Sequence, residues 1–263
     1  MEKYWRLLKI SWENGFVYRT SLVMWRLRQF LGTLMALTVW TVVFTGQSST
    51  FGYSQETMIT YVFTVSFLQS MVLSSALNGL AQQIHDGRIS YELLKPVNIY
   101  LYLGAQELAD KLKNVAFIVI ETVVLFLIFR PVLALPDPAT LVVFLVWVIT
   151  GTVLYFLISL LFGSLGFWSP ETWGPRFLFF MFLDFTAGKL FPLDILPQVI
   201  QRVLYLTPFP YLSFIQTQLF LGRLTGAEAV TNSLGLVVWL GLAAVLVKVV
   251  WHRGIKSYSA VGQ

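Results

Sequence analysis

An all-α integral membrane protein with six transmembrane helices is the fold class this sequence predicts, and three observations predict it. Of its 263 residues, 57% are hydrophobic and only 12% are charged, and mean hydropathy is +0.72. Soluble globular domains carry about twice that share of charge. The apolar residues gather in six runs, most of them near the ~20 residues that a bilayer crossing requires. Finally, fourteen of the 18 Lys and Arg residues fall in residues 1–28, 79–113, 168–176 and 248–263, which are alternate connecting segments. The other four are Arg130, Lys189, Arg202 and Arg223. Positively charged loops stay in the cytoplasm, so both termini are expected inside.

The chain opens with an amphipathic stretch over residues 1–20. At 100° per residue Tyr4, Trp5, Leu7, Leu8, Trp12 and Phe16 share one side, opposite Glu2, Arg6, Lys9 and Glu13. This pattern predicts an interfacial helix on the inner leaflet, with its aromatic rings at headgroup depth. It lacks the cleavable apolar core of a signal peptide. Spans are expected at about 22–44, 58–78, 112–129, 139–167, 175–190 and 233–251, all within one transmembrane domain covering 1–263. Arg26 and Arg28 sit early in the first span, where long side chains snorkel to the interface. The small pairs Gly32/Ala36 and Ser159/Gly163, four residues apart, predict close helix contacts.

Between the second and third spans, residues 80–98 read LAQQIHDGRISYELLKPVN and form a polar island. Gly87 ends one short helical piece and Pro96 the next. Ile89, Leu93 and Leu94 make a small apolar face, flanked by Arg88, Glu92 and Lys95, which predicts a docking element at the cytoplasmic surface. After the short fifth span, residues 191–211 are apolar but broken by Pro192, Pro197, Pro208 and Pro210. That combination predicts a re-entrant or interfacial hairpin on the outer face.

Several chemistries are excluded by absence. There is no phosphate-binding loop of the G-x-x-x-x-G-K-[ST] kind, so the chain does not hydrolyse nucleotide itself. It has no cysteine, and its two histidines, His85 and His252, do not suggest a metal site. The net charge of +5 is spread beside apolar spans rather than gathered in a patch, which disfavours nucleic acid. Two acids fall inside predicted spans, Glu121 and Asp184, each nine residues from a cytoplasmic end and thus about 14 Å deep. Such a group needs a cavity or a partner. Either these carboxyls meet substrate or a proton, or they pair within the chain, for which Lys189 and Arg130 are the candidate cations. Around Asp184, Phe177, Phe179, Phe180, Phe182 and Phe185 supply ring faces that suit a lipophilic cation.

Two stretches carry a resemblance: G-R-I-S-Y-E-L-L-K-P, Gly87 to Pro96, and G-K-L-F-P-L-D-I-L-P, Gly188 to Pro197, followed by T-P-F-P-Y, Thr207 to Tyr211. In that order, with six spans, the chain resembles the permease subunits of type-2 ABC exporters of roughly 260 residues. It departs from them in the charge of Lys189 and in Gln216-Thr217, where a proline is common. The resemblance implies a permease that binds no cofactor and works with two nucleotide-binding ATPase subunits, which hold ATP and Mg, and with a second permease, related or identical. The residues coupling it to the ATPases would be Gly87, Arg88, Ile89, Tyr91, Glu92, Leu93, Leu94, Lys95 and Pro96. The substrate path would take in Glu121, Phe180, Asp184 and Phe185 among membrane lipids. Phe191, Pro192, Pro197, Pro208 and Pro210 would form the outer gate. An amphipathic, lipophilic or lipid-linked cargo would leave the cytoplasm through the inner membrane. The alternatives are a membrane-embedded lipid-modifying enzyme, active alone through Glu121 or Asp184, and a scaffold subunit that binds an ATPase without transporting.

Overall fold

The computed structural model describes residues 2–17, 19–169 and 172–258, with side chains from Trp5 onward. Helix α1 (Glu2–Asn14) packs along α6 (Ile99–Phe129), with Leu7, Leu8 and Trp12 half-buried and Trp5 exposed. The side chains of Glu2 and Tyr4, assigned above to the two faces of α1, lie outside the described residues. Helix α2 (Arg19–Val43) follows, then a two-strand hairpin, β1 (Ser49–Thr50) and β2 (Tyr53–Ser54), in which Ser49 pairs with Ser54. Ser54 and Thr57 form a capping box that starts α3 (Gln55–Met71).

The second expected span does not run straight to residue 78. After α3 the chain breaks at residues 72–75, makes a 3-10 turn at Ala76–Gly79 and continues as α4 (Leu80–His85), bent by 54°. Then come α5 (Ile89–Leu93) and α6, which starts at Asn98, whose side chain caps the amides of Tyr100 and Leu101. Helix α6 therefore begins 13 residues before the span expected at 112. The charges of Glu107, Asp110 and Lys111 interrupt the apolar run ahead of residue 112, but Glu107 and Lys111 are buried and paired inside the protein.

Asp137 caps α7 (Pro138–Ser164), which has Pro138 in its first turn and a 3-10 extension to Phe167. Helix α8 (Trp173–Thr186) has 14 residues, or about 21 Å at 1.5 Å per residue, short of the ~30 Å hydrocarbon core. Short pieces follow: a 3-10 turn at Leu193–Ile195, α9 (Gln198–Tyr205), a second turn at Pro210–Leu212 and α10 (Phe214–Phe220). The long α11 (Gly226–Ser257) closes the chain behind a Thr225–Glu228 capping box. Among the described residues three helices, α6, α7 with its extension, and α11, are long and apolar enough to cross a membrane. The bent pair of α3 with residues 76–85 makes a fourth if counted as one broken span.

Contacts sort the connecting segments into two groups. In one, Ser90 Oγ lies 3.0 Å from the Tyr258 hydroxyl, and Trp251 packs against Tyr100 and Phe167. Gly166 meets the backbone of Ala81 there, so close that an added Cβ would sit 2.2 Å from the Ala81 oxygen. In the other, the Tyr53 hydroxyl donates to Asp194 at 2.8 Å, Gln218 donates to the same hydroxyl, and the Arg223 guanidinium lies 3.8 Å over the Tyr53 ring. Burial and the neighbouring Asp194 carboxylate push the Tyr53 phenol well above its usual pKa. The core between the two groups is aromatic and aliphatic: Tyr61, Leu68, Trp147, Tyr155 and Phe214 are among its buried members.

Candidate functional site

Three features could serve function: the segment from α4 to α6, a groove beside α2, and the proline-rich segment of residues 191–211. The α4–α6 segment is turned at Gly87, whose φ of +76° is left-handed and favours glycine. In α5, Ile89 and Leu93 are four residues apart and share the inner side. Ile89 is fully buried with Leu80, Ile84, Leu103 and Trp251, and Leu93 packs half-buried on the same cluster. This corrects the apolar face read above, because Ile89 is committed to the chain's own core and cannot seat in a partner. Tyr91 and Leu94 lie on the outer side, 74% and 83% exposed. Beside them Glu92 and Lys95 form an ion pair at 2.5 Å, Arg88 pairs with Asp86 at 2.9 Å, and Pro96 lies in the bend before α6. The outward surface is thus two large apolar side chains ringed by charge.

A groove of about 860 Å³ opens between α2, α3 and α8. Phe180 and Asp184 line it, as does Phe191 at the start of the 191–211 segment. Phe185 is not among its lining residues and instead packs edge-on against Phe191, 5.4 Å between centroids. Asp184 is already paired, 2.8 Å from Lys189, which was one of the two candidate cations. Sequence reading did not place the other polar groups on the groove wall, among them Arg28, Gln29, Gln69 and Arg176. Gly32 faces this open space with nothing within 4 Å of an added Cβ, whereas Gly163 abuts Leu80; of the two small-residue pairs, only the second marks a close contact within the chain.

Glu121 lies elsewhere. Its partner is neither Lys189 nor Arg130 but Arg26, at 3.5 Å, in a buried polar belt joining α2, α3 and α6. Arg26 also donates to Asn114, Gln29 donates to Ser70 at 2.6 Å, and the Thr33 and Ser66 hydroxyls lie 2.9 Å apart. Asn114 donates to the Ser70 carbonyl at 3.0 Å and to Ser74 Oγ at 2.8 Å. Below it, Glu107 and Lys111 hold the break in the second span. Glu107 accepts from Ser75 Oγ at 2.8 Å and from the Ala76 amide at 3.0 Å; Lys111 donates to the Ser74 carbonyl. The carboxylate meets the free amide that opens the next helical piece, where a negative charge is favourable, and the ammonium meets the Ser74 carbonyl within the break itself. Lys111 Nζ lies 3.0 Å from Glu107 Oε1, an ionic contact without hydrogen-bond alignment. A signal for this belt was present: residues 26, 29 and 33, then 66, 70 and 74, then 107, 111, 114 and 121, each set repeat at three, four or seven along one helix face.

In the 191–211 segment Pro192, Pro197 and Pro210 stand at the starts of the short helical pieces, where a missing amide does no harm, and Pro208 lies between two of them. Gln201 ties the hairpin together, donating to the carbonyls of Asp194 and Leu196 at 3.1 and 2.7 Å. Val199, Val203 and Leu206 are exposed. Among the described residues no group of three His, Asp or Glu side chains could hold a metal ion.

The family of ABC-2 family transporter proteins matches residues 30–262, nearly the whole length. The chain belongs to that family. It is therefore a multi-pass transmembrane permease of an ABC transporter, of a family that associates with ATPase subunits and suggests a non-catalytic membrane subunit. Comparison with curated proteins gives no match.

Proposed function

We propose that this ABC-2 permease is half of the membrane core of an exporter, paired with a second permease and driven by two separate ATPase subunits that hold ATP and Mg. In this reading the chain crosses the inner membrane six times with both termini in the cytoplasm, α2, α3 and α8 being the first, second and fifth crossings. The α4–α6 segment is the coupling helix, Tyr91 and Leu94 seat in the ATPase, and closure of the ATPase dimer on ATP rocks the permeases. An amphipathic, lipophilic or lipid-linked cargo leaves the cytoplasm along the α2–α3–α8 groove, and the hairpin of residues 191–211 closes its exit.

The observation that carries this reading is the two-sided α5. One side is locked into the chain's core, while the other presents Tyr91 and Leu94 beside the C-terminal end of α11. A rigidly backed apolar pair with a charged rim has the form of an interface anchor. The test is to purify the complex from its own membrane and to repeat the purification with Leu94→Asp. The parent should carry a phosphate-loop ATPase with ATP-dependent transport. The variant should insert normally but lose the ATPase, because burying an unpaired carboxylate costs several kcal/mol against the roughly 8 kcal/mol of a micromolar interface. A variant that keeps the complex and full transport excludes α5 as the coupling element. In this cysteine-free chain, single cysteines placed by Ser49→Cys and Thr231→Cys should label from outside and by Ser257→Cys only after permeabilisation; the reverse pattern would invert the topology.

A further inference from the structure

The groove is charged unevenly along its length. At the level where Gln29 donates to Ser70, Arg28 of α2 points into it from one wall. From the other comes Arg176, in the first turn of α8, near Asn78 and with its guanidinium 5.9 Å over the Phe180 ring. Neither has a carboxylate partner among the described residues. Toward the other end the walls become mainly apolar, formed by residues such as Met35, Val39, Val65 and Met181, as far as the Asp184–Lys189 pair. Among the described residues the lining holds three cations, Arg28, Arg176 and Lys189, against the single carboxylate of Asp184, which Lys189 already neutralises. Among the described residues a cationic cargo would meet two guanidiniums without a carboxylate partner and no free counter-charge.

We propose that the groove receives an anionic amphiphile, a hydrocarbon chain ending in a phosphate or carboxylate, with Arg28 and Arg176 as the head contacts. Two guanidiniums facing one space are suited to an oxyanion, since each offers a fork of donors that a phosphate or carboxylate can accept. The apolar stretch beyond them takes the chain. The volume of about 860 Å³ lies within the roughly 300–1,000 Å³ of sites that enclose one small molecule. The site thus narrows the class of cargo in the export reading and rests on that reading for its role.

Binding can be read on the permease alone, so a failure here is distinct from a failure to find an ATPase. A single cysteine from Ala36→Cys, on the groove wall, is modified by a neutral methanethiosulfonate reagent in the full chain purified in a maltoside detergent. Dodecyl phosphate should slow the modification, and dodecyltrimethylammonium at the same concentration should not. R28Q and R176Q should each weaken dodecyl phosphate about tenfold, the worth of one charge-assisted hydrogen bond, and R28K with R176K should retain most of the protection. Gel filtration of each variant checks its fold, and either Gln variant alone suffices if the other aggregates. Equal protection by both probes, better protection by the cation, or protection unchanged in R28Q and R176Q overturns the proposal. So does a cysteine that is unreactive without any probe while cross-linking to a second copy, because the groove would then be filled by another permease.

Discussion

Removing the Glu107 carboxylate asks whether α6 holds the break in the second span. The group is 5% exposed, accepts from Ser75 Oγ and the Ala76 amide, and lies 3.0 Å from the Lys111 ammonium, itself in a residue 8% exposed. Glu107→Ala orphans two donors, each worth about 1–3 kcal/mol when left buried and unmade. It also leaves Lys111 without its counter-charge, and breaking one side of a buried pair costs about 3–5 kcal/mol. These effects overlap, so about 4 kcal/mol is expected in all. Glu107→Gln keeps an acceptor and the shape, and should lose about half as much. Lys111→Met leaves Glu107 charged and alone, whereas the double variant Glu107→Gln/Lys111→Met removes both charges. The double should therefore be at least about 1 kcal/mol less damaged than the two singles added together. The assay is thermal unfolding in detergent followed by tryptophan fluorescence, for which the chain carries 9 Trp. In a chain of this size 1 kcal/mol moves Tm by about 2–4 °C, so Glu107→Ala should melt about 8–16 °C lower. A Glu107→Ala melting point within about 2 °C of the parent, or singles that simply add in the double, would refute the reasoning.

Three further outcomes follow from the same coordinates. Ile89→Asp places a carboxylate in the cluster of Leu80, Ile84, Leu103 and Trp251 and should unfold the segment at a loss of several kcal/mol, whereas Leu94→Asp on the exposed side should leave Tm within about 1 °C. Gly166→Ala drives a Cβ against the Ala81 backbone, 2.2 Å from its oxygen and 2.8 Å from its Cα, which no rotamer change relieves; about 1–3 kcal/mol should be lost, while Gly32→Ala, facing open space, should not destabilise. Hydrogen bonds from the Thr140 hydroxyl and amide hold Asp137 below the usual carboxylate pKa, so its contribution is full above about pH 4 and lost as pH falls through the lower folded value; Asp137→Asn should flatten that acid limb of the Tm–pH curve.

The apolar runs made the helices legible, because length and hydropathy alone announce a helix that must satisfy its own backbone. Gly87 and Pro96 were read for what they do, and the prolines of residues 191–211 fall at the starts of, or between, short helical pieces as their chemistry requires. What stayed hidden depends on who meets whom. The start of α6 was masked because Glu107 and Lys111 look like loop residues until each is seen to be the other's partner. Ile89 and Leu94 are equally apolar in the sequence, and only the position of the core separates the buried one from the exposed one. At Asp184 the sequence supplied Lys189 as a candidate partner, but the two arginines that decide the charge of the groove, Arg28 and Arg176, are almost 150 residues apart and share no local pattern.

The break after α3 also sets an order of assembly during synthesis. The Ser74 carbonyl is served by a lysine 37 residues further on, and the Ala76 amide by a glutamate 31 residues further on. Until those residues leave the ribosome, this part of the second span carries backbone groups that hydrocarbon cannot satisfy. At about 5–20 residues per second the wait is about 2–7 s, long compared with the formation of any helix. The expected outcome is that the bent segment passes into lipid only together with α6. A chain truncated before residue 107 should then integrate poorly when synthesised with membranes, and one that includes Lys111 should integrate fully.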